Sequence, residues 1–228
     1  MKRRDFMALG AATLASGLTA SAADTVTTPR ATHPETLTQK PLVFDPKTLD
    51  GISEKMIVSH HDNNYVGAVK RAKLIEEKIV GLAGSANPFE LGSLKREQMV
   101  ALNSMVIHEY YFDALGAAGA MNAKLKTMIE ASFRSVEEWE AEYKKMGLSL
   151  GGGSGWILLV YNERIKRLEN VWMWDHLHGL WDSKIILALD MYEHSYQMDF
   201  GANAKGYIEA FFKNINWNMV NTRIAAIV

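Results

Sequence analysis

The chain has 228 residues, 48% hydrophobic and 22% charged, which fits one large or two small globular domains and excludes a disordered chain. A formal net charge of −1 argues against a general nucleic-acid or membrane-surface binder. Cysteine is absent, so disulfides, thiolate ligands and a cysteine nucleophile are excluded, and any metal must be held by His, Asp or Glu.

Residues 1–22 read as a signal peptide rather than as fold. Lys2, Arg3 and Arg4 precede a short, weakly apolar stretch from Ala8 to Leu18, and Ala20-Ser21-Ala22 fits a small-residue cleavage site. The stretch is too short for a comfortable membrane span. Arg3-Arg4 followed by Asp5-Phe6-Met7 resembles a twin-arginine export signal. That resemblance implies the twin-arginine machinery as a partner, a periplasmic or extracellular destination and no stable membrane association after cleavage. Cleavage removes Lys2, Arg3, Arg4 and Asp5, so the net charge falls from −1 to −3.

Residues 23–50, with Pro29, Pro34, Pro41 and Pro46, read as an extended N-terminal arm. Ser53 can cap a helix running to about Leu82. Its inward stripe is Ile57, His60, Asn64, Ala68, Ala72 (or Arg71), Ile75 and Ile79. Residues 84–92 read as a loop, and Ser93 as the cap of a second helix with the inward stripe Val100, Ser104, His108, Phe112 and Leu115. The two helices form an antiparallel hairpin over 51–116. His60 and His108 on facing helices can begin a metal site, or can be two packed core histidines.

The small residues of 116–122 mark a boundary before a second unit, 117–228. Two shorter helices follow, the second with a capping box of Ser135 and Glu138. Three strands come next: Trp156 to Tyr161, Leu168 to Trp174, and Ile185 to Leu189 ending at Asp190. A helix from about Ala204 and a short one from about Trp217 close the chain. The fold class is α+β: a helical hairpin, then an α+β domain with a small three-stranded antiparallel sheet.

Asp190-Met191-Tyr192-Glu193-His194-Ser195-Tyr196 places a carboxylate four residues from a histidine after an apolar run. A buried carboxylate there is costly unless neutralised. A core ion pair does this, and so does a metal.

Almost all of the chain after about residue 42 resembles the iron/manganese superoxide dismutases. Asp190 to Tyr196 is similar to that family's D-x-W-E-H-x-Y signature, and Gly153-Ser154-Gly155-Trp156 to its G-S-G-W turn. Ile215-Asn216-Trp217 is similar to its I-N-W, Ser135 to Trp139 to the helix before that turn, and His108 to Phe112 to its H-x-F-Y-W. The resemblance implies one iron or manganese ion per subunit, leaning to iron, with His60, His108, Asp190 and His194 as ligands. It implies dismutation of superoxide to oxygen and hydrogen peroxide. It also implies a homodimer through Glu193 and Tyr196, with Glu193 reaching His194 of the partner subunit.

Around the ligands the pattern departs from the family. Ser104 stands where many members have glutamine, and His176 fits the place of the residue facing the metal-bound solvent, with His178 as competitor. The family has a histidine one turn and a tyrosine two turns after the first ligand; without a gap these places fall on Asn64 and Ala68. Tyr65 can take the tyrosine's role only if the helix is distorted. The register that puts His61 in the one-turn place leaves Ile57 as first ligand, which is chemically impossible. The resemblance implies that Trp156 walls the pocket. Two other functions compete with a dismutase: a metal binder with little dismutase activity acting in metal or oxidative stress, and a metal-dependent hydrolase using Glu109 or His176 as base.

Overall fold

The computed structural model describes residues 36–82 and 87–227; the expected signal peptide and the first part of the arm lie outside these residues. The first helix begins at Glu54, where the Ser53 hydroxyl accepts the Met56 N–H. It is not one regular helix. An α segment (α1, Glu54–Ser59) passes into a π-helical turn, His60–Tyr65, before α resumes (α2, Val66–Gly81). The run His61-Asp62-Asn63-Asn64 consists of weak helix formers, and the wider i→i+5 turn sits on it.

This turn corrects the expected inward stripe. In a regular helix of 3.6 residues per turn, Tyr65 would point well away from His60. The π turn brings it inward: Tyr65 is buried and Asn64 only half-buried, while Ile57, Ala68, Ala72, Ile75 and Ile79 remain on the core side.

The second helix (α3, Pro88–Asp113) starts earlier than expected. Asn87 accepts the Glu90 N–H and Pro88 occupies the first turn, so Gly92 and Ser93 lie inside the helix. A proline-led start with an Asn cap is a stronger signal than Ser93. Ala72, Ile75, Ile79 and Ala101 join α2 to α3, and Leu37 of the arm packs on this cluster.

The second half opens with α4 (Ala123–Phe133) and α5 (Val136–Leu148). Only half of the expected capping box forms. The Ser135 hydroxyl accepts the Glu138 N–H, but the Glu138 carboxylate is taken by Arg134. Strands β1 (Trp156–Asn162), β2 (Arg167–Met173) and β3 (Ser183–Asp190) form an antiparallel sheet in the order β2-β1-β3. The β1–β3 register slips between Leu159 and Val160, and Trp156 faces Asp190 at the sheet end. Short α6 (Gln197–Phe200), then α7 (Ala204–Lys213) and α8 (Trp217–Ala225), complete the order.

The main core joins the sheet to α3, α4, α5, α7 and α8. The halves are also tied by polar bonds. Asn214 bonds the Asp50 backbone at both ends, and Asp199 accepts from the Ser53 N–H and hydroxyl.

Candidate metal centre

Four side chains from four elements meet in the interior. His60 comes from the start of the π turn, His108 from α3, Asp190 from the end of β3 and His194 from the short 3₁₀ turn Glu193–Ser195. One potential ligand atom from each lies within 4.8 Å of all the others. His60, His108 and Asp190 are fully buried, whereas the His194 side chain is 28% exposed.

The two oxygens of Asp190 are used differently. Oδ1 accepts the Tyr192 N–H at 2.8 Å. Oδ2 faces three imidazoles: His60 Nε2 at 3.0 Å, His194 Nε2 at 3.2 Å and His108 Nε2 at 3.6 Å. His108 Nδ1 donates to the Ser104 carbonyl at 2.7 Å, which leaves the Nε2 lone pair directed inward. That Nε2 is buried without a hydrogen-bond partner, as is His60 Nδ1. Buried polar atoms are nearly always satisfied, so an orphaned imidazole nitrogen beside a carboxylate fits a metal ligand.

Protonation follows from burial. Burial, then the charge on His60, pushes His108 down to about 3. Burial also lowers His60, despite its bond to Asp190. For Asp190 burial opposes ionisation, but His194 and His60 outweigh it and hold the carboxyl below the ordinary range. For His194 burial opposes charge, yet the Asp190 carboxylate lifts it above the usual histidine value. The ionised Asp190 and the neutral His60 and His108 are in the state a divalent or trivalent ion requires, while His194 would give up its proton to bind one.

Aromatic rings enclose the four. Trp156 lies 5.0 Å from the His108 ring and Phe112 4.9 Å from His60, while Tyr192 stacks 5.4 Å from His194. His176 is buried, its ring 6.2 Å from His108. The Trp156 indole N–H donates to His176 Nε2 at 3.0 Å, and His176 Nδ1 lies 3.1 Å from the Tyr192 hydroxyl. Both ring nitrogens are therefore engaged by pocket-wall side chains, which the sequence did not foresee. His178 is turned elsewhere: it lines an apolar groove of about 580 Å³ between α3 and residues 177–185.

Tyr65 sits one layer out, its ring 6.4 Å from His108, with its hydroxyl donating to Glu109. Burial raises it to about 12. Glu109 is thus paired rather than poised as a hydrolytic base. Glu193 is exposed beside the site. Tyr196, read from the resemblance as an interface residue, is buried within the chain; its ring stacks on Tyr207 and its hydroxyl accepts the Gly152 N–H. Sequence reasoning missed Lys40, which reaches Glu109 and Tyr65 from the arm; only its place before Pro41, in an extended segment, hinted at a fixed position.

The α+β fold and this buried group of three histidines and an aspartate define a protein able to hold one metal ion. Residues 121–223 match the model of the iron/manganese superoxide dismutase C-terminal domain. The chain is 53% identical over 190 residues to a superoxide dismutase (Fe) of Cupriavidus metallidurans, covering 83% of this chain and 96% of the relative. It is 31% identical over 182 residues to superoxide dismutase (Mn) 1 of Halobacterium salinarum (78% and 90% covered), and 30% identical over 189 residues to a superoxide dismutase (Fe) of Aquifex aeolicus (78% and 86%). The chain belongs to the iron/manganese superoxide dismutase family.

Proposed function

We infer that this protein is a superoxide dismutase with one iron or manganese ion per subunit, held by His60, His108, Asp190 and His194. The observation that carries the reading is the inward-facing Oδ2 of buried Asp190, which meets three imidazoles within 3.6 Å. The overall reaction converts two superoxide ions and two protons to oxygen and hydrogen peroxide. Bound there, the ion supplies one-electron chemistry between its trivalent and divalent states. The iron name of the 53% identical relative leans the reading to iron.

The chain's own residues do the rest. The Ser104 carbonyl fixes the His108 tautomer, and the Tyr192 N–H holds one Asp190 oxygen so that the other faces inward. Trp156, Phe112 and Tyr192 restrict water around the ligands and keep the local dielectric low. His176, fixed between Trp156 and Tyr192, is proposed as the partner of the metal-bound solvent. Tyr65 presents the hydroxyl on the arm side.

Residues 1–22 are proposed as a twin-arginine export leader, giving a periplasmic or extracellular mature protein. That protein is proposed to be a homodimer contacting through Glu193, with Tyr196 supporting the contact from behind the surface. Metal analysis with a superoxide-consumption assay on the mature protein tests the enzyme. Full metal occupancy without dismutation overturns it in favour of a metal binder acting in metal or oxidative stress, a reading that relatives named as dismutases do not favour. Cell fractionation of an Arg3→Lys/Arg4→Lys chain tests export: the variant should stay inside.

A further inference from the structure

Lys40 touches both histidine-bearing helices from outside, by backbone and side chain together. Its N–H donates to the Tyr65 hydroxyl at 2.8 Å, and its carbonyl accepts from His61 Nε2 at 2.8 Å. Its ammonium pairs with Glu109 Oε2 at 2.5 Å, while the Tyr65 hydroxyl donates to Glu109 Oε1 at 3.0 Å. The bonds close a ring: Lys40 to Tyr65, Tyr65 to Glu109, Glu109 back to Lys40. Tyr65 and His61 belong to the π turn that begins at His60, and Glu109 follows His108 on α3.

The ring leaves few alternatives. The Tyr65 oxygen already accepts the Lys40 N–H, so its own proton goes to Glu109. Glu109 cannot rotate away, because its second oxygen is held by the ammonium. The Glu109 side chain is only 15% exposed against 60% for Lys40. The pair therefore places a largely desolvated carboxylate beside the site and neutralises it, unlike an ordinary surface ion pair.

We propose that Lys40 is a positioning residue of the dismutase site: through Glu109 it fixes the Tyr65 hydroxyl, and through His61 it fixes the π turn that carries His60. The proposal rests on the dismutase reading above. It explains why a charged residue of the arm, outside both domains read from the sequence, is anchored by three different bonds. A lysine that merely attracted the superoxide anion would need none of them.

The test uses the mature, iron-loaded protein with Lys40→Met, Lys40→Arg, Glu109→Gln and the Lys40→Met/Glu109→Gln double variant. Metal content, kcat, KM at several ionic strengths and the EPR spectrum of the iron are read for each. Lys40→Met should lower kcat roughly tenfold, within what correct placement of a reacting group supplies. KM and metal content should hold, and the EPR line shape should change. Lys40→Arg should restore both kcat and spectrum, and the double variant should be no worse than Lys40→Met. A kcat/KM that falls only at low salt, with kcat and spectrum intact, overturns the proposal in favour of anion attraction. If Lys40→Met fails to fold or to hold metal, Glu109→Gln decides; wild-type kcat and spectrum in it overturn the proposal. A wild-type protein that holds iron without consuming superoxide defeats the functional reading instead, and the spectra alone then decide whether Lys40 shapes the site.

Discussion

The Trp156 indole N–H donates to His176 Nε2 at 3.0 Å, and this one bond sets the tautomer of the histidine beside the metal centre. With Nε2 accepting, the ring proton sits on Nδ1, next to the Tyr192 hydroxyl. Burial lowers the His176 pKa, which keeps the ring neutral and consistent with that arrangement. Trp156→Phe preserves an aromatic wall but removes the donor. His176 is then left with an unsatisfied buried nitrogen, a cost of about 1–3 kcal/mol. The expected outcome is retained metal with a clearly lower dismutation rate. His176→Ala should likewise change activity more than occupancy. Equal loss of metal and activity in both variants would show that His176 supports the ligands rather than the chemistry around them.

His108→Ala should abolish metal retention. The side chain is fully buried, its tautomer is fixed by Ser104, and its free nitrogen points at Asp190. Removing it takes away one of four donors and also enlarges the buried space around a carboxylate. Metal-to-protein stoichiometry after gel filtration is the measurement. A variant that still carries one equivalent of iron or manganese refutes the proposed ligand set.

The α+β architecture was legible because its signals are local. Ser53 caps a helix, glycines precede Trp156, and three apolar runs separated by turn residues become the sheet. Helical spacing put His60 and His108 on inward faces; that Asp190 and His194 join them followed only from the order of motifs resembling the iron/manganese superoxide dismutases. The π turn was not, because a 3.6-residue period assumes a regular helix; only the weak helix formers from His61 to Asn64 hinted at it. The helix start at Asn87-Pro88 was overlooked because Gly84 and Gly92 suggested a longer loop. The Lys40 ring and the His176 bonds depend on long-range approach, to which periodicity is blind. Tyr196 shows the same limit: its position in a motif says nothing about which way its ring packs.

Stability of the metal-free protein should fall as the pH drops below about 6.5. His108 titrates near 3 when folded and near 6.5 when unfolded, so between those values the unfolded state binds a proton that the folded state refuses. Such a proton costs on the order of 1.4 kcal/mol per pH unit. His60 is lowered too and adds to the slope in the same direction. Asp190, depressed in the fold, adds a further loss only below its ordinary value near 3.8. His194 is raised, so its contribution is present below 6.5 and disappears as the pH rises through its folded value. The maximum should therefore lie near neutrality. Urea unfolding at pH values from about 7 to 4 checks this, and a flat profile would sink it.

Gly155→Ala should be among the most damaging single changes outside the ligands. Gly155 has φ of +140°, and a Cβ there would lie 2.0 Å from the Met173 carbonyl oxygen, with Trp174 Cα at 2.9 Å. Backbone rather than a flexible side chain opposes it, so the start of β1 must move. Trp156 is the next residue and faces Asp190 across the strands. A loss of at least about 3 kcal/mol is expected, from left-handed strain plus the clash. Thermal unfolding together with metal content is the check. Ala at Gly152, where φ is +78° but no atom lies within 4 Å of the new Cβ, should cost far less.

Glu193→Ala tests the proposed dimer. Glu193 is exposed although its neighbours in sequence are a pocket-wall tyrosine and a candidate ligand. The His194 ring gives Nε2 to Asp190 and keeps 28% of the side chain open, so its outer edge is available at the surface. A carboxylate from a second copy reaching that edge would orient the ring and raise its basicity, as outer partners of metal-bound histidines do. Removing Glu193 should then have two effects at once. The dimer should dissociate at higher concentrations in sedimentation experiments, and metal affinity should fall by roughly 10- to 100-fold. A surface carboxylate without a partner subunit would produce neither. Unchanged sedimentation and unchanged metal affinity in Glu193→Ala would therefore remove Glu193 from the interface and leave His194 oriented by Asp190 and Tyr192 alone.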